Sequence, residues 1–181
     1  PLTASAGRAS GSAVAASEED RKPEYKVDVK PDREVYVNGD EVRFALAANY
    51  FFGAPVVGAA VRWTLFETRL RDEREWDDDE TPSGFGRMLE SGEARTDVDG
   101  RVALGFTPQR VAYDRRLSLE VEVVDGSQRA VSARGTALVG RCLFSVRLAP
   151  TSGLFLAGQP MQVDVSTKDL LGKPVSAAVT I

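Results

Sequence analysis

The sequence predicts an all-β chain, a seven-stranded antiparallel β-sandwich followed by the truncated start of a second sandwich. Three observations predict it. Short segments of strict alternation between apolar and polar residues recur along the chain, the pattern of strands with one buried face. Clusters of Gly, Pro, Asn and Asp close each segment, and helical periodicity is scarce. Finally, one phrase is written twice: NYFFGAPV at 49–56 returns as KDLLGKPV at 168–175.

The doubled phrase belongs to two longer segments that align without a gap. Gly39 falls on Gly158, an offset of 119 residues, and Gly53 on Gly172 and Pro55 on Pro174 keep that offset. Carried back, it sets Pro31 on Pro150, Tyr25 on Phe144, Val27 on Val146 and Tyr36 on Phe155. Val42, Phe44 and Leu46 are answered by Met161, Val163 and Val165, so the strand pattern persists where identity fails. Solenoid repeats run about 20–50 residues, so the longer spacing points to whole domains in tandem.

The elements follow in order. Residues 1–22 are rich in Ala, Ser and Gly and read as a flexible leader. A rival reading makes them the last hairpin of a preceding domain, because AGRASGSAV at 6–14 resembles SQRAVSARGTAL at 127–138. The complete sandwich spans 23–140. Its first strand covers 25–29 and breaks at Pro31 and Asp32; after the Asn38-Gly39 turn a second covers 41–50. Gly53 and Pro55 reverse the chain into a third strand over 60–66, which carries Trp63.

Residues 67–93 then read as a charged insertion, far longer than the 4–6 residues or so typical of loops. Strands resume over 94–96, and over 101–106 after the turn at Asp97-Val98-Asp99-Gly100. In the strand over 118–124, Leu117, Leu119, Val121 and Val123 share one side and Ser118, Glu120 and Glu122 the other. Asp125-Gly126 turns the chain into the last strand, 129–139. Residues 141–181 hold only the opening of the second sandwich, too few to bury a core of their own. The chain is therefore expected to be a piece of a longer protein.

Composition narrows the chemistry. A net charge of −4 with no clustered basic face argues against nucleic acid as a partner. No apolar run approaches the 20 or so residues of a spanning helix, so no membrane span is expected in this segment. Cys142 is the sole cysteine, which excludes an internal disulfide; it reads as an inert thiol, although LVGRC at 138–142 has a faint likeness to a lipidation site. Histidine is absent altogether, which removes Ser-His-Asp and Cys-His catalysis. No catalytic residue, cofactor or metal site is expected.

Two motifs invite sharper readings. Asp97-x-Asp99-Gly100 has the flavour of a calcium loop, yet no bidentate Glu follows it and a hairpin turn reads better. Trp76, Asp77, Asp78 and Asp79, followed by Glu80, form a candidate contact loop, or else a solvated one. Arg69, Arg71, Arg74 and Arg87 make the same stretch attractive to trypsin-like proteases. Gly39, Gly53, Pro55, Gly100, Gly158, Gly172 and Pro174 are assigned to structural turns. Tyr50, Phe51 and Phe52 cannot all face one core from a single strand, so one of them is expected in the turn or over a domain junction.

RKPEYKVDV, YVNGDEV, ANYFFGAPVVGAAVRW and TDVDGRVALGF, in this order and spacing, resemble the third macroglobulin-like domain of bacterial alpha-2-macroglobulins. FSVRLAP and FLAGQPMQVDVSTKDLLGKPV resemble the opening of the fourth. The resemblance implies a macroglobulin-like sandwich, akin to immunoglobulin and fibronectin-III folds, in an extracytoplasmic protease trap. Its direct partners would be neighbouring macroglobulin-like domains, and its targets proteases held by the full-length protein. The setting implied is periplasmic, with a lipidated N-terminus outside this segment as one mode of membrane anchoring. The thioester signature Cys-x-Glu-Gln of many members is missing, since Leu143-Phe144-Ser145 follows Cys142. A module of an adhesin or surface stalk is the alternative, because sandwich folds host many functions.

Overall fold

The computed structural model describes residues 24–70, 86–151, 158 and 160–178. Among these residues ten strands follow one another: β1 Tyr25–Pro31, β2 Val35–Val37, β3 Val42–Tyr50, β4 Ala60–Arg69, β5 Arg87–Arg95, β6 Arg101–Phe106, β7 Arg115–Val124, β8 Ala130–Gly140, β9 Phe144–Pro150 and β10 Val163–Asp169. They form a three-stranded sheet β1-β3-β6, a five-stranded sheet β2-β8-β7-β4-β5 and a separate pair β10-β9. The first two sheets make the sandwich. Their inner faces share one core, in which Tyr25, Phe44, Leu46 and Phe106 of one sheet meet Val61, Leu65, Leu119 and Val123 of the other. Trp63 of β4 meets Phe106 of β6 edge to face, at 5.2 Å between ring centres.

The chain builds the alternation that the sequence predicts. In β7, Arg115, Leu117, Leu119, Val121 and Val123 are buried, while the residues between them are not. Four differences stand out. An eighth strand joins the expected seven: β2, whose three residues are too few for a periodic signal, and whose Tyr36 is buried with its hydroxyl between Asp32 and the Arg43 carbonyl. The sandwich is not wholly antiparallel, because β2 pairs with β8 in parallel. Pro31 does not break β1 but pairs with Phe44 at its end, where its missing N–H does no harm.

The fourth difference concerns the charged stretch expected over 67–93. β4 runs on to Arg69 and β5 starts at Arg87, so both ends of that stretch are paired strand. β5 is an edge strand with most residues exposed, and it therefore lacks the apolar alternation that marks interior strands.

One turn also joins different partners from those the sequence suggests. Asp97 to Gly100 form a tight turn, with Gly100 N–H bonded to the Asp97 carbonyl at 3.0 Å. It is not a hairpin, since β5 lies in the five-stranded sheet and β6 in the three-stranded one. Gly100 takes φ +71°, and a Cβ there would stand 2.5 Å from the Ala48 carbonyl oxygen, so only glycine lets the crossing pass so close to β3.

The pair β9 and β10 repeats β1 and β3 in register as well as in sequence. Tyr25 pairs with Tyr50 and Phe144 with Asp169, each partner displaced by 119 residues. The isolated bridge Asn49 to Pro55 returns as Lys168 to Pro174.

Candidate domain-junction site

β4 runs from Ala60, opposite Val124, to Arg69, opposite Arg115. Arg69, Arg115, the loop at 107–114, Asn38 and the end of β8 therefore gather at one pole of the sandwich. Here the core closes with charge. Glu67 continues the inward series Val61, Trp63, Leu65, and Arg115 continues the inward series of β7. Their side chains are 3% and 1% exposed and meet at 2.5 Å.

A buried charge is tolerable when most of its hydrogen-bonding capacity is met, and here that holds except at Arg115 Nε, which is buried without a partner. Glu67 Oε1 accepts from the Tyr113 hydroxyl at 2.8 Å and from Arg87 Nη2 at 3.1 Å, while Oε2 takes Arg115 Nη1. Arg115 Nη2 donates to the Gln109 carbonyl at 2.7 Å. Asn38 ties in the neighbouring turn, its Nδ2 donating to the Val111 carbonyl at 2.7 Å and its N–H to the Gly140 carbonyl at 2.9 Å. Burial pushes the Glu67 carboxyl up, but the bonds from Arg115, Tyr113 and Arg87 outweigh it and hold the group below the usual carboxylate range. The Tyr113 hydroxyl is raised in turn, first by its bond to Glu67 and then by burial.

The second unit leaves from this pole. Asp114 Oδ1 accepts the Arg141 backbone N–H at 2.8 Å and faces Arg141 Nε at 3.4 Å. Only three residues separate the end of β8 at Gly140 from the start of β9 at Phe144. Leu170, in the turn after β10, reaches back to the joint: a Cβ on Gly140 would stand 2.3 Å from Leu170 Cδ1. The bare glycine admits that side chain. The joint is thus held by a polar contact on one side and an apolar one on the other.

Of the residues assigned to turns, Gly39, Gly53, Gly100, Gly158 and Gly172 take positive φ between 71° and 100°. Pro55 and Pro174 sit in the two isolated bridges. The structure brings Gly39 to the polar pole, where a Cβ would meet Arg110 Nη2 at 2.7 Å; Gly53 and Gly100 belong to the opposite pole. Trp76, Asp77, Asp78 and Asp79 lie outside the described residues. Cys142 is exposed, its thiol donating to the Phe144 carbonyl at 3.0 Å. Among the described residues, no three potential metal ligands gather, and no helix is long and apolar enough to cross a membrane.

Sequence reasoning missed the Glu67 and Arg115 pair by assigning Glu67 to a loop. Strand parity carried the signal: both residues keep the inward phase of their strands one step past the last apolar position.

A sandwich of two sheets followed after three residues by a strand pair that repeats its opening register defines an all-β structural module, and its relatives give that class its family. The family model for macroglobulin domain MG3 matches residues 22–115. The chain belongs to this family and is a structural module of an alpha-2-macroglobulin-like protein. It is 31% identical to the alpha-2-macroglobulin of Thermotoga maritima over 165 residues, which cover 90% of this chain and 10% of that protein. Among solved structures, Salmonella alpha-2-macroglobulin reacted with methylamine superposes with a TM-score of 0.61 at 18% identity, covering 86% of this chain and 12% of that one. Trypsin-activated alpha-2-macroglobulin from Escherichia coli gives a TM-score of 0.58 at 17% identity, over 71% and 9% of the two chains. The chain thus spans about a tenth of the length of the relatives it matches.

Proposed function

We infer that this chain is a non-catalytic structural module of a bacterial protease trap, working in the extracytoplasmic space, in the periplasm. On this reading residues 23–140 are one macroglobulin-like domain and 141–181 the start of the next. Neighbouring domains are its direct partners, and proteases meet the full-length protein rather than this module. The observation that supports the reading best is the joint. A trap must transmit a change of shape among its domains, and a short connection clamped by Asp114 and Leu170 couples two sandwiches where a free linker would let them drift.

The Escherichia coli relative was solved in a trypsin-activated form, which makes trypsin the natural probe. Full-length protein mixed with trypsin should shield a large protein substrate from digestion while a small peptide substrate is still cleaved. Equal loss of both activities, or of neither, overturns the trap reading. No labelled amine should be incorporated at Cys142, because its thiol stands exposed without the thioester signature around it.

A further inference from the structure

The turn that follows the first hairpin of each unit is built to one plan. In the first, Gly53 N–H bonds to the Tyr50 carbonyl at 2.9 Å and Tyr50 N–H to the Ala54 carbonyl at 2.8 Å. In the second, Gly172 N–H bonds to the Asp169 carbonyl at 3.0 Å and Asp169 N–H to the Lys173 carbonyl at 2.9 Å. Phe51 therefore occupies the turn position that Leu170 occupies in the next unit. Leu170 rests against Gly140 of the sandwich before it. Among the described residues, Phe51 and Phe52 have no comparable neighbour from another module: they are 66% and 79% exposed.

Two exposed phenylalanines at one turn are costly in water and unusual away from an interface. They are also held firmly. Phe52 stacks on Tyr50 with ring centres 5.2 Å apart and planes within 8°, and Tyr50 packs edge-on against the buried Tyr25 at 6.0 Å. The chain enters the sandwich beside them, because Phe51 N–H bonds to the Glu24 carbonyl at 3.0 Å. Glu24, the first of the described residues, therefore lies at the edge of this aromatic patch.

We propose that Phe51 and Phe52 dock on the C-terminal pole of a β-sandwich module lying directly upstream in the same chain, as Leu170 docks on Gly140. Each module's opening turn then wedges against the end of the last strand of the module before it. The occupant follows from three observations: an identical turn, a seated copy of the contact at the second joint, and chain entry beside the patch. The proposal rests on the tandem-module reading and is independent of protease trapping.

The position 119 residues before Gly140 is Arg21, so the two joints supply matched pairs of sites. In full-length protein carrying Cys142→Ser, Gly140→Cys with Leu170→Cys reports the joint seen here, and Arg21→Cys with Phe51→Cys reports the proposed one. A short bis-maleimide should link both pairs within one chain, as mapped on proteolytic peptides. Linkage at 140 and 170 alone overturns the proposal, and so does linkage at neither pair. Linkage of Phe51→Cys between two chains would make the patch a self-association face and also overturns it. As a second measurement, Phe51→Ser with Phe52→Ser should speed amide exchange around 21–24 and leave 168–172 unchanged; unchanged exchange at 21–24 counts against the proposal. Loss of protease shielding with cross-linking intact would sink the trap reading only.

Discussion

Glu67 and Arg115 lie 48 residues apart in the chain and meet at 2.5 Å inside one pole of the sandwich, both nearly sealed from water. The pair closes the core at the pole where the chain passes from β8 to β9. Removing one member leaves the other buried without its counter-charge, which costs about 3–5 kcal/mol. Glu67→Gln and Arg115→Met should each lower the unfolding free energy read from urea melts by that order. Glu67→Leu combined with Arg115→Met should recover most of the loss, because a packed apolar pair avoids the uncompensated charge. Single variants as stable as the parent would show that the pair is not structurally needed.

Acid should act through the same carboxylate. The Glu67 pKa is lowered in the folded state, against an ordinary value of 4.5. The unfolded chain therefore takes up the proton first as pH falls. The stability contributed by Glu67 is complete above about pH 4.5 and is lost as pH falls through the folded value. Melting curves from pH 6 or so downward should show a steeper acid decline in the parent than in Glu67→Gln. Parallel declines would contradict the assignment.

Tyr25 governs the opposite limb. Its hydroxyl lies 2.7 Å from the carbonyls of both Val123 and Arg129, linking β1 to the β7–β8 turn. Burial first, and then the nearby Asp125 charge, push its pKa up to about 12 from 10.0. The unfolded chain then loses the proton first as pH rises, so this contribution is whole below about pH 10 and disappears as pH climbs toward 12. Tyr25→Phe should cost about 1–3 kcal/mol at neutral pH, by stranding buried carbonyls, and should flatten the alkaline decline. The repeat itself carries Phe144 at the matching position, so the ring alone suits this strand.

The joint predicts thermal coupling. A chain extended to complete the second sandwich should raise the unfolding midpoint of the first. About 40 Å² of buried apolar surface is worth roughly 1 kcal/mol, so even a small interface registers. Leu170→Ser should remove much of that gain. Identical melting of the first sandwich alone and in the completed pair would instead describe beads on a string, as in a surface stalk.

Much of this molecule is legible along the chain. β1 and β9, predicted as copies, have bounds that differ by the repeat offset of 119 at both ends. β6 falls where its alternation places it. The strands that escaped notice did so for local reasons: β2 is too short to show a period, and β5 is an edge strand with most residues exposed, where Leu89 and Ala94 pack on the core without a regular apolar alternation. The turn at Asp97 is locally a reversal whichever sheet receives the chain, so its residues do not reveal that β5 and β6 part company.

The sequence by itself determined the all-β class, the repeat, and the inward side of the strands whose alternation it displays, because strand parity is a property of consecutive residues. It even carried the inward phase of Glu67 and Arg115. Only the tertiary structure decided that these two meet, that β2 runs parallel to β8, and that Leu170 closes against Gly140. Those outcomes depend on which distant strands become neighbours, and pairing is fixed by burial and shape across the whole core rather than by any local pattern.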